Sequence, residues 1–323
     1  MRVANTLFAG VVFTSLILGQ SIAMSQEITV EVLNAETPYL RLLNTWQLKV
    51  SGIDDVDPGF SGLDIHNGKL LAVGDNGLLF EAELLETEDG LVLGSGAIRL
   101  LTTEDGDALH SSKSKRDAEA LARLNGELFV AFERDHRISR LHADDTLSSV
   151  LSLKGRDLKG IKGNNGVEAL AAVPNQDVLL AFGQKRIDGQ VHWWHFDLRG
   201  ETPRSGTLNP PGREEVAGAD VGPDGKLYLL RRDHRERKKQ GAHDTRIVVE
   251  RFRMTDGVPD ADSREELGRF SDWRPFETRG VGVDNVEGIA VVRQGEALNL
   301  WLVSDDNGSD EQRSLLMRFE IVN

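Results

Sequence analysis

One short pattern occurs five times along this 323-residue chain, and it admits only folds that are built by repeating a hairpin. Each copy runs small or acidic residue, small residue, apolar strand, turn, then a second apolar strand ending in polar residues. The copies begin at Ser61-Gly62-Leu63, Glu119-Ala120-Leu121, Glu168-Ala169-Leu170, Ala217-Gly218-Ala219 and Glu287-Gly288-Ile289, so successive starts lie 58, 49, 49 and 70 residues apart. Turn chemistry marks each midpoint: Asn67-Gly68, Asn125-Gly126, Pro174-Asn175, Pro223-Asp224-Gly225 and Gln294-Gly295. Asn-Gly and Asp-Gly between apolar runs supply the positive φ that tight hairpins demand. Second strands fit 69–73, 127–132, 177–182, 226–230 and 298–303, and third strands fit 78–85, 137–142, 192–198, 246–254 and 315–322. Weaker fourth strands fit 91–101, 146–153 and 265–270. Four antiparallel strands per repeat predict an all-β fold, a β-propeller with about five four-stranded blades. The last repeat stops after its third strand, and 45–50 is placed to supply the fourth. Pairing the two ends of the chain in this way closes the ring and hides a sheet edge.

A sixth blade has room between Ala217 and Glu287, but no sixth inner-strand motif occurs there. The segment 86–115 is polar and reads as a loop-like insertion. No Pro- or Ser-rich linker interrupts the series, so 45–323 reads as a single propeller domain after a lead-in at 24–44. Residues 1–23 read as a secretory signal peptide: Arg2 is the positive n-region, Leu7 to Gly19 the apolar core, and Ser21-Ile22-Ala23 the small-x-small cleavage site. The apolar run is shorter than the ~20 residues of a spanning helix, so no membrane span is expected after its removal. An uncleaved anchor is the other reading. The predicted location is periplasmic or secreted, and the absence of cysteine excludes disulfides and thiolate metal sites without conflicting with it. With 52 Asp and Glu against 38 Lys and Arg, the formal net charge is −14, which argues against a nucleic-acid partner.

The hairpin geometry directs attention to one face. The first residue of strand one and the residue after strand two lie side by side at the same end of an antiparallel pair, and strand one lines the tunnel. The tunnel mouth is therefore predicted to gather Ser61 with Asp75, Glu119 with Glu133, Glu168 with Gln184, Ala217 with Arg231, and Glu287 with Asp305; Asp64, Asp117, Asp135, Asp233, Asp306 and Asn307 lie near them in sequence. Gathered carboxylates need a cation, retained protons or arginine partners. Oxygen donors of this kind favour Ca²⁺ or Mg²⁺. Glu119, Glu168, Glu287 and Asp305 are the candidate metal ligands, with Ca²⁺ the expected ion. Structural carboxylates that accept backbone hydrogen bonds are the alternative. Glu133-Arg134-Asp135-His136-Arg137 and Arg231-Arg232-Asp233-His234-Arg235 match at four of five positions at the same offset as their strand starts, so they read as equivalent loops. Arg134 and Arg232 are candidates to bind an anionic substrate or to pair with the acidic ring. Glu133 and His136 are the candidate acid–base groups. The basic run 235–239 reads as a solvated loop tip, and Trp193 and Trp194 as blade packing.

Several stretches resemble the phytase-like family, described as "esterase-like activity of phytase". They are Asp117-Ala118-Glu119-Ala120-Leu121-Ala122, Phe132-Glu133-Arg134-Asp135-His136-Arg137-Ile138, Asn165-Gly166-Val167-Glu168-Ala169-Leu170-Ala171, Asn285-Val286-Glu287-Gly288-Ile289-Ala290 and Leu302-Val303-Ser304-Asp305-Asp306-Asn307. The resemblance runs from about Ser61 to Phe319. It implies a secreted bacterial propeller and, from the family's name, hydrolysis of esters or phosphoesters. True propeller phytases bridge phosphate with calcium ions at an acidic mouth. Here Ser61 and Ala217 replace the matching carboxylate in two blades. Two functions are therefore carried forward: a metal-dependent hydrolase acting on a small anionic or ester substrate, and a non-catalytic propeller of the cell envelope binding a ligand or partner. A sugar-lactone hydrolase is a weaker third.

Overall fold

A computed structural model describes residues 21–27, 35–51, 59–88, 90–109, 112–174, 176–198, 204–237, 242–275, 282–310 and 312–322. Hairpin follows hairpin around a ring. Blade one is Phe60–His66, Lys69–Gly74, Leu78–Thr87 and Gly90–Leu100; blade two is Ala118–Leu124, Glu127–Phe132, Arg137–Leu141 and Thr146–Ser152. Blade three is Val167–Val173, Val178–Gly183, Val191–Asp197 and Arg204–Leu208; blade four is Glu215–Val221, Leu227–Arg237, Ala242–Phe252 and Glu265–Pro275. Blade five takes Asn285–Gln294, Ala297–Asp305 and Leu315–Ile321 from the end of the chain and Leu40–Ser51 from its beginning. Neighbouring strands within each blade are antiparallel, and each blade's first strand packs beside the first strand of the next, with blade five returning to blade one. The fold is a five-bladed β-propeller.

The core lies between the blades. Side chains alternate across each strand, so every blade offers an apolar face to both neighbours, and five clusters fill the five gaps. Val73 and Leu79 meet Val130 and Phe132 between blades one and two. Phe129 meets Leu170 and Trp194 in the next gap. Phe182 and Trp193 meet Leu229, and Tyr228 and Ile247 meet Leu302 and Phe319. Trp46 and Trp301 meet Leu63 and Phe80 where the ring closes. Trp193 and Trp194 are thus packing residues. The inner strands come very close: a Cβ on Gly62 would sit 2.6 Å from the Leu121 nitrogen, and one on Gly288 would sit 3.1 Å from the Ser61 oxygen. That contact explains the small residue at the second position of the repeat.

The chain ends pair as the repeat pattern predicts, Leu40–Ser51 lying against Leu315–Ile321, and the strand starts five residues before the expected 45. Other features differ. The 86–115 stretch is not one loop: Leu78–Thr87 and Gly90–Leu100 form a hairpin, followed by the two-residue strand Thr102–Thr103, which pairs with blade two, and a short helix at Lys113–Arg116. Instead of a sixth blade, the long repeat holds the small hairpin Met254–Thr255 and Val258–Pro259 and a short turn at Ala261–Ser263. Arg235–Arg237 belong to the long strand Leu227–Arg237, and residues 238 and 239 lie outside the described residues. Residues 1–20 of the expected leader also lie outside them. Ser21–Glu27 form a strand bonded to Leu40–Ser51 on one side and to Gly90–Leu100 on the other, which joins blades five and one into a nine-stranded sheet. Among the described residues, no helix is long and apolar enough to cross a membrane.

Candidate active site at the tunnel mouth

The inner hairpin of every blade breaks its register at the same place. Phe60 pairs with Gly74 and Gly62 with Val73, so Ser61 is left over. The same slip leaves Glu119 between Ala118 and Ala120, Glu168 between Val167 and Ala169, Ala217 between Val216 and Gly218, and Glu287 between Val286 and Gly288. These are β-bulges, and a bulge turns an extra side chain away from the ladder. The first position of each repeat is therefore the bulged residue. Hairpin ladders place these five positions at one end of the ring, as the sequence predicts.

The glutamates do come together. Glu119 lies within electrostatic reach of Glu168, Glu287, Asp117 and Glu133. Three carboxylate oxygens, one each from Asp117, Glu119 and Glu133, lie within 4.8 Å of one another. Asp117 and Glu133 are buried, and the Glu133 nitrogen donates to the Asp117 oxygen at 2.9 Å, which locks the two ends of the hairpin. Blade three closes over Glu133: a Cβ on Gly166 would fall 2.7 Å from Glu133 Cγ, and the Gly166 N–H donates to the Glu133 carboxylate. Among the described residues, the Glu119 carboxylate makes no side-chain hydrogen bond or close ion pair, and Arg232 reaches it only at longer range.

Each carboxyl responds to this setting. Burial, then repulsion from Asp117, pushes Glu133 up to about 7 despite Arg134 and the Gly166 N–H. Burial and Glu287 push Glu168 up to about 8 against the pull of Arg232 and Lys185. Burial and all four neighbouring carboxylates raise Glu119 well above the usual carboxyl range.

The two matched arginines take different posts. Arg134 donates to Asp117 and, at 2.9 Å, to Asn164 Oδ1, so it sits on the rim. Arg232 lies inside the ring: its Nη1 donates to Glu287 Oε1 at 2.6 Å and to Asn285, and its Nη2 is 4.0 Å from Glu168. Burial opposes the charge of Arg232, but Glu287, Glu168, Asp305 and Glu119 more than offset it and raise its pKa. Glu168 also accepts from Gln184 Nε2 at 3.1 Å. The mouth is thus divided. Asp117, Glu119 and Glu133 form one side, and Glu168 and Glu287 hold a guanidinium on the other. Asp305 faces Arg232 and accepts the Asn307 N–H at 2.9 Å, outside the close trio.

The side chains of two predicted neighbours lie among other groups. Arg231 is fully buried inside blade four, bound by Glu250 through Nε at 2.9 Å and Nη2 at 2.8 Å, and by the Glu214 oxygen at 3.1 Å. His136 occupies a tight turn with φ of 35°, its electrostatic neighbours are Lys154 and Asp135, and its buried Nδ1 has no hydrogen-bond partner. Burial and Lys154 lower its pKa. Nor are the matched segments equivalent loops: the first is the turn between Glu127–Phe132 and Arg137–Leu141, and the second is continuous strand. Asp117, which the motif places two residues before Glu119, is the close partner that the hairpin rule alone leaves out.

The phytase-like family model, described as esterase-like activity of phytase, matches residues 58–308. The chain belongs to the phytase-like family. The match takes in all five bulged positions and both arginines of this phytase-like propeller. No match was found among curated proteins. Among solved structures, the phytase-like chain is similar to a provisionally assigned gluconolactonase (14% identity, 93% of each chain, TM-score 0.45). It is also similar to virginiamycin B lyase from Staphylococcus aureus (10% identity, 93% of this chain and 100% of that one, TM-score 0.40).

Proposed function

We propose that this chain is a secreted or periplasmic hydrolase of esters or phosphoesters, with its site at the acidic mouth and a divalent cation, Ca²⁺, held by Asp117, Glu119 and Glu133. The observation that carries the reading is the unpaired Glu119 carboxylate among four others, beside two carboxylates whose oxygens converge within 4.8 Å. Oxygen ligands 2.3–2.6 Å from one ion lie at most about 5 Å apart, so the spacing fits a calcium-sized ion, and all three donors are hard. Arg134 and Gly166 support the reading by fixing Asp117 and Glu133.

A bound cation would polarise a carbonyl or phosphoryl oxygen and make a bound water more acidic. Glu133, through the oxygen not given to the ion, would accept a proton from water as a general base. Arg232 presents positive charge across the mouth from the trio and orients an anionic oxygen of the substrate. Family membership supports hydrolysis as the reaction class.

Calcium at 100 times its Kd should stabilise the native state by about 2.7 kcal/mol, raising the melting temperature against an EDTA control. Glu119→Gln should remove most of that rise and abolish hydrolysis of phosphomonoester and acyl-ester substrates. An identical melting temperature with EDTA and with every divalent ion tested would sink the metal reading.

A further inference from the structure

Beside the mouth, between the segment that leads into the first strand of blade three and the turn that follows its second strand, lies a cleft of about 600 Å³ that the proposed chemistry does not use. Two short hairpin-like turns form its walls. One is fastened by reciprocal hydrogen bonds between Lys162 and Asn165 at 2.9 and 3.0 Å, the other by those between Ile187 and Gln190 at 2.9 and 3.0 Å. The Lys159–Asp188 ion pair at 2.9 Å ties one wall to the other. The walls also touch below: a Cβ on Gly160, where φ is +92°, would lie 2.3 Å from Ile187 Cδ1. Leu158, Ile161 and Ile187 line the cleft with apolar surface.

Charge at the cleft runs against the rest of the molecule. In a chain of net charge −14, the lining carries Arg156, Lys159, Lys162 and Lys185 against Asp157 alone. Lys159 and Lys185 are occupied by Asp188 and Glu215. Among the described residues, Arg156 and Lys162 have no acidic partner; Arg156 gives only its Nε to the Ser152 oxygen at 2.8 Å. Two unneutralised cations therefore overlook an apolar floor. The inner end adjoins the mouth, because Asn165 precedes Gly166, which bonds Glu133, and Lys185 follows Gln184, which bonds Glu168.

We propose that this cleft binds an organic anion with an apolar body, an aryl or alkyl carboxylate or phosphate, through Leu158, Ile161 and Ile187 below and Arg156 and Lys162 above. Its volume lies within the range of small-molecule sites, and apolar walls with a few placed polar groups are their usual make-up. Resting on the proposed hydrolysis, the cleft would seat the part of the substrate away from the scissile bond, which makes the substrate an amphiphilic anionic ester.

The test separates the two readings by working without metal. EDTA-dialysed protein is titrated calorimetrically with naphthalene-1-acetate, naphthalene-1-methanol and inorganic phosphate. Naphthalene-1-acetate should bind at least about tenfold more tightly than either control, since each control lacks one half of the complementarity. Arg156→Glu combined with Lys162→Glu should weaken it by at least about tenfold, and Glu119→Gln should leave it unchanged. Both charge reversals are on exposed side chains, and an unaltered melting temperature verifies the fold. Equal binding by the wild type and the double variant, or equal binding of the uncharged alcohol, would overturn the cleft; so would phosphate binding as tightly as the naphthyl acid. A cleft that binds in a protein indifferent to metals would leave this site standing and remove only the metal.

Discussion

Glu133 and Glu168 hold their protons far above the ordinary carboxyl value of 4.5, at about 7 and about 8, and that has a measurable cost at high pH. A carboxyl whose folded pKa is raised favours the native state below its unfolded pKa, and the benefit disappears as pH climbs through the folded value. The metal-free protein should therefore melt at progressively lower temperature as pH rises from about 4.5 to about 8, and Glu168→Gln should flatten the upper part of that decline. Calorimetric melting in EDTA across this range checks it, and a wild-type curve parallel to that of Glu168→Gln would contradict the assignment. Because cation and proton compete for the same oxygens, protection by calcium should grow over the same interval. The sequence reveals the acidic residues but not their division of labour. Glu119, Glu168 and Glu287 occupy identical repeat positions; their neighbours separate them, Arg232 beside Glu287 and Glu168, and Asp117 with Glu133 beside Glu119. Arg231 and Arg232 are chain neighbours, and strand alternation sends one into the blade and the other into the mouth.

Within the hairpins, turn dipeptides and apolar runs suffice to locate the inner strands, because Asn67-Gly68 and Asn125-Gly126 permit few other backbones. The bulges are not legible. A bulge needs no particular residue, and here Ser, Glu and Ala all occupy it. Strands that pair without a hairpin escape as well: Ser21–Glu27 and Ala35–Glu36 join sheets through long-range pairing that no local pattern marks. The small second position is different, since contact between inner strands enforces it. Gly62→Ala would push a methyl to 2.6 Å from the Leu121 nitrogen, and overpacking of this kind costs about 1–3 kcal/mol. Chemical denaturation should show that loss, and an unchanged midpoint would mean that blades one and two part more readily than their packing implies.

At the scale of the ring, closure depends on pairing residues 281 positions apart, as Leu40 with Ile321. Trp46 stacks on Trp301 across this seam, ring centroids 5.7 Å apart and planes 9° from parallel, with both side chains buried. Trp46→Ala should cost about 3–5 kcal/mol, as large aromatic truncations in cores do. It should also reduce the near-ultraviolet circular dichroism of the stacked pair. Retention of both stability and signal would show that another contact holds the seam. The five-blade count was readable because a repeat is a whole-molecule property, visible in spacing alone; the nine-stranded junction was not, because it belongs to no repeat.

The leftover residue in each inner hairpin has one more consequence. Since the ladder resumes on either side of it, its identity is free of the demands that backbone pairing makes on its neighbours. The mouth is in effect a socket with five interchangeable contacts, three of them wired with glutamate and two, at Ser61 and Ala217, left blank. Rewiring such a socket asks for no new fold, only a different side chain in a place the scaffold already holds open.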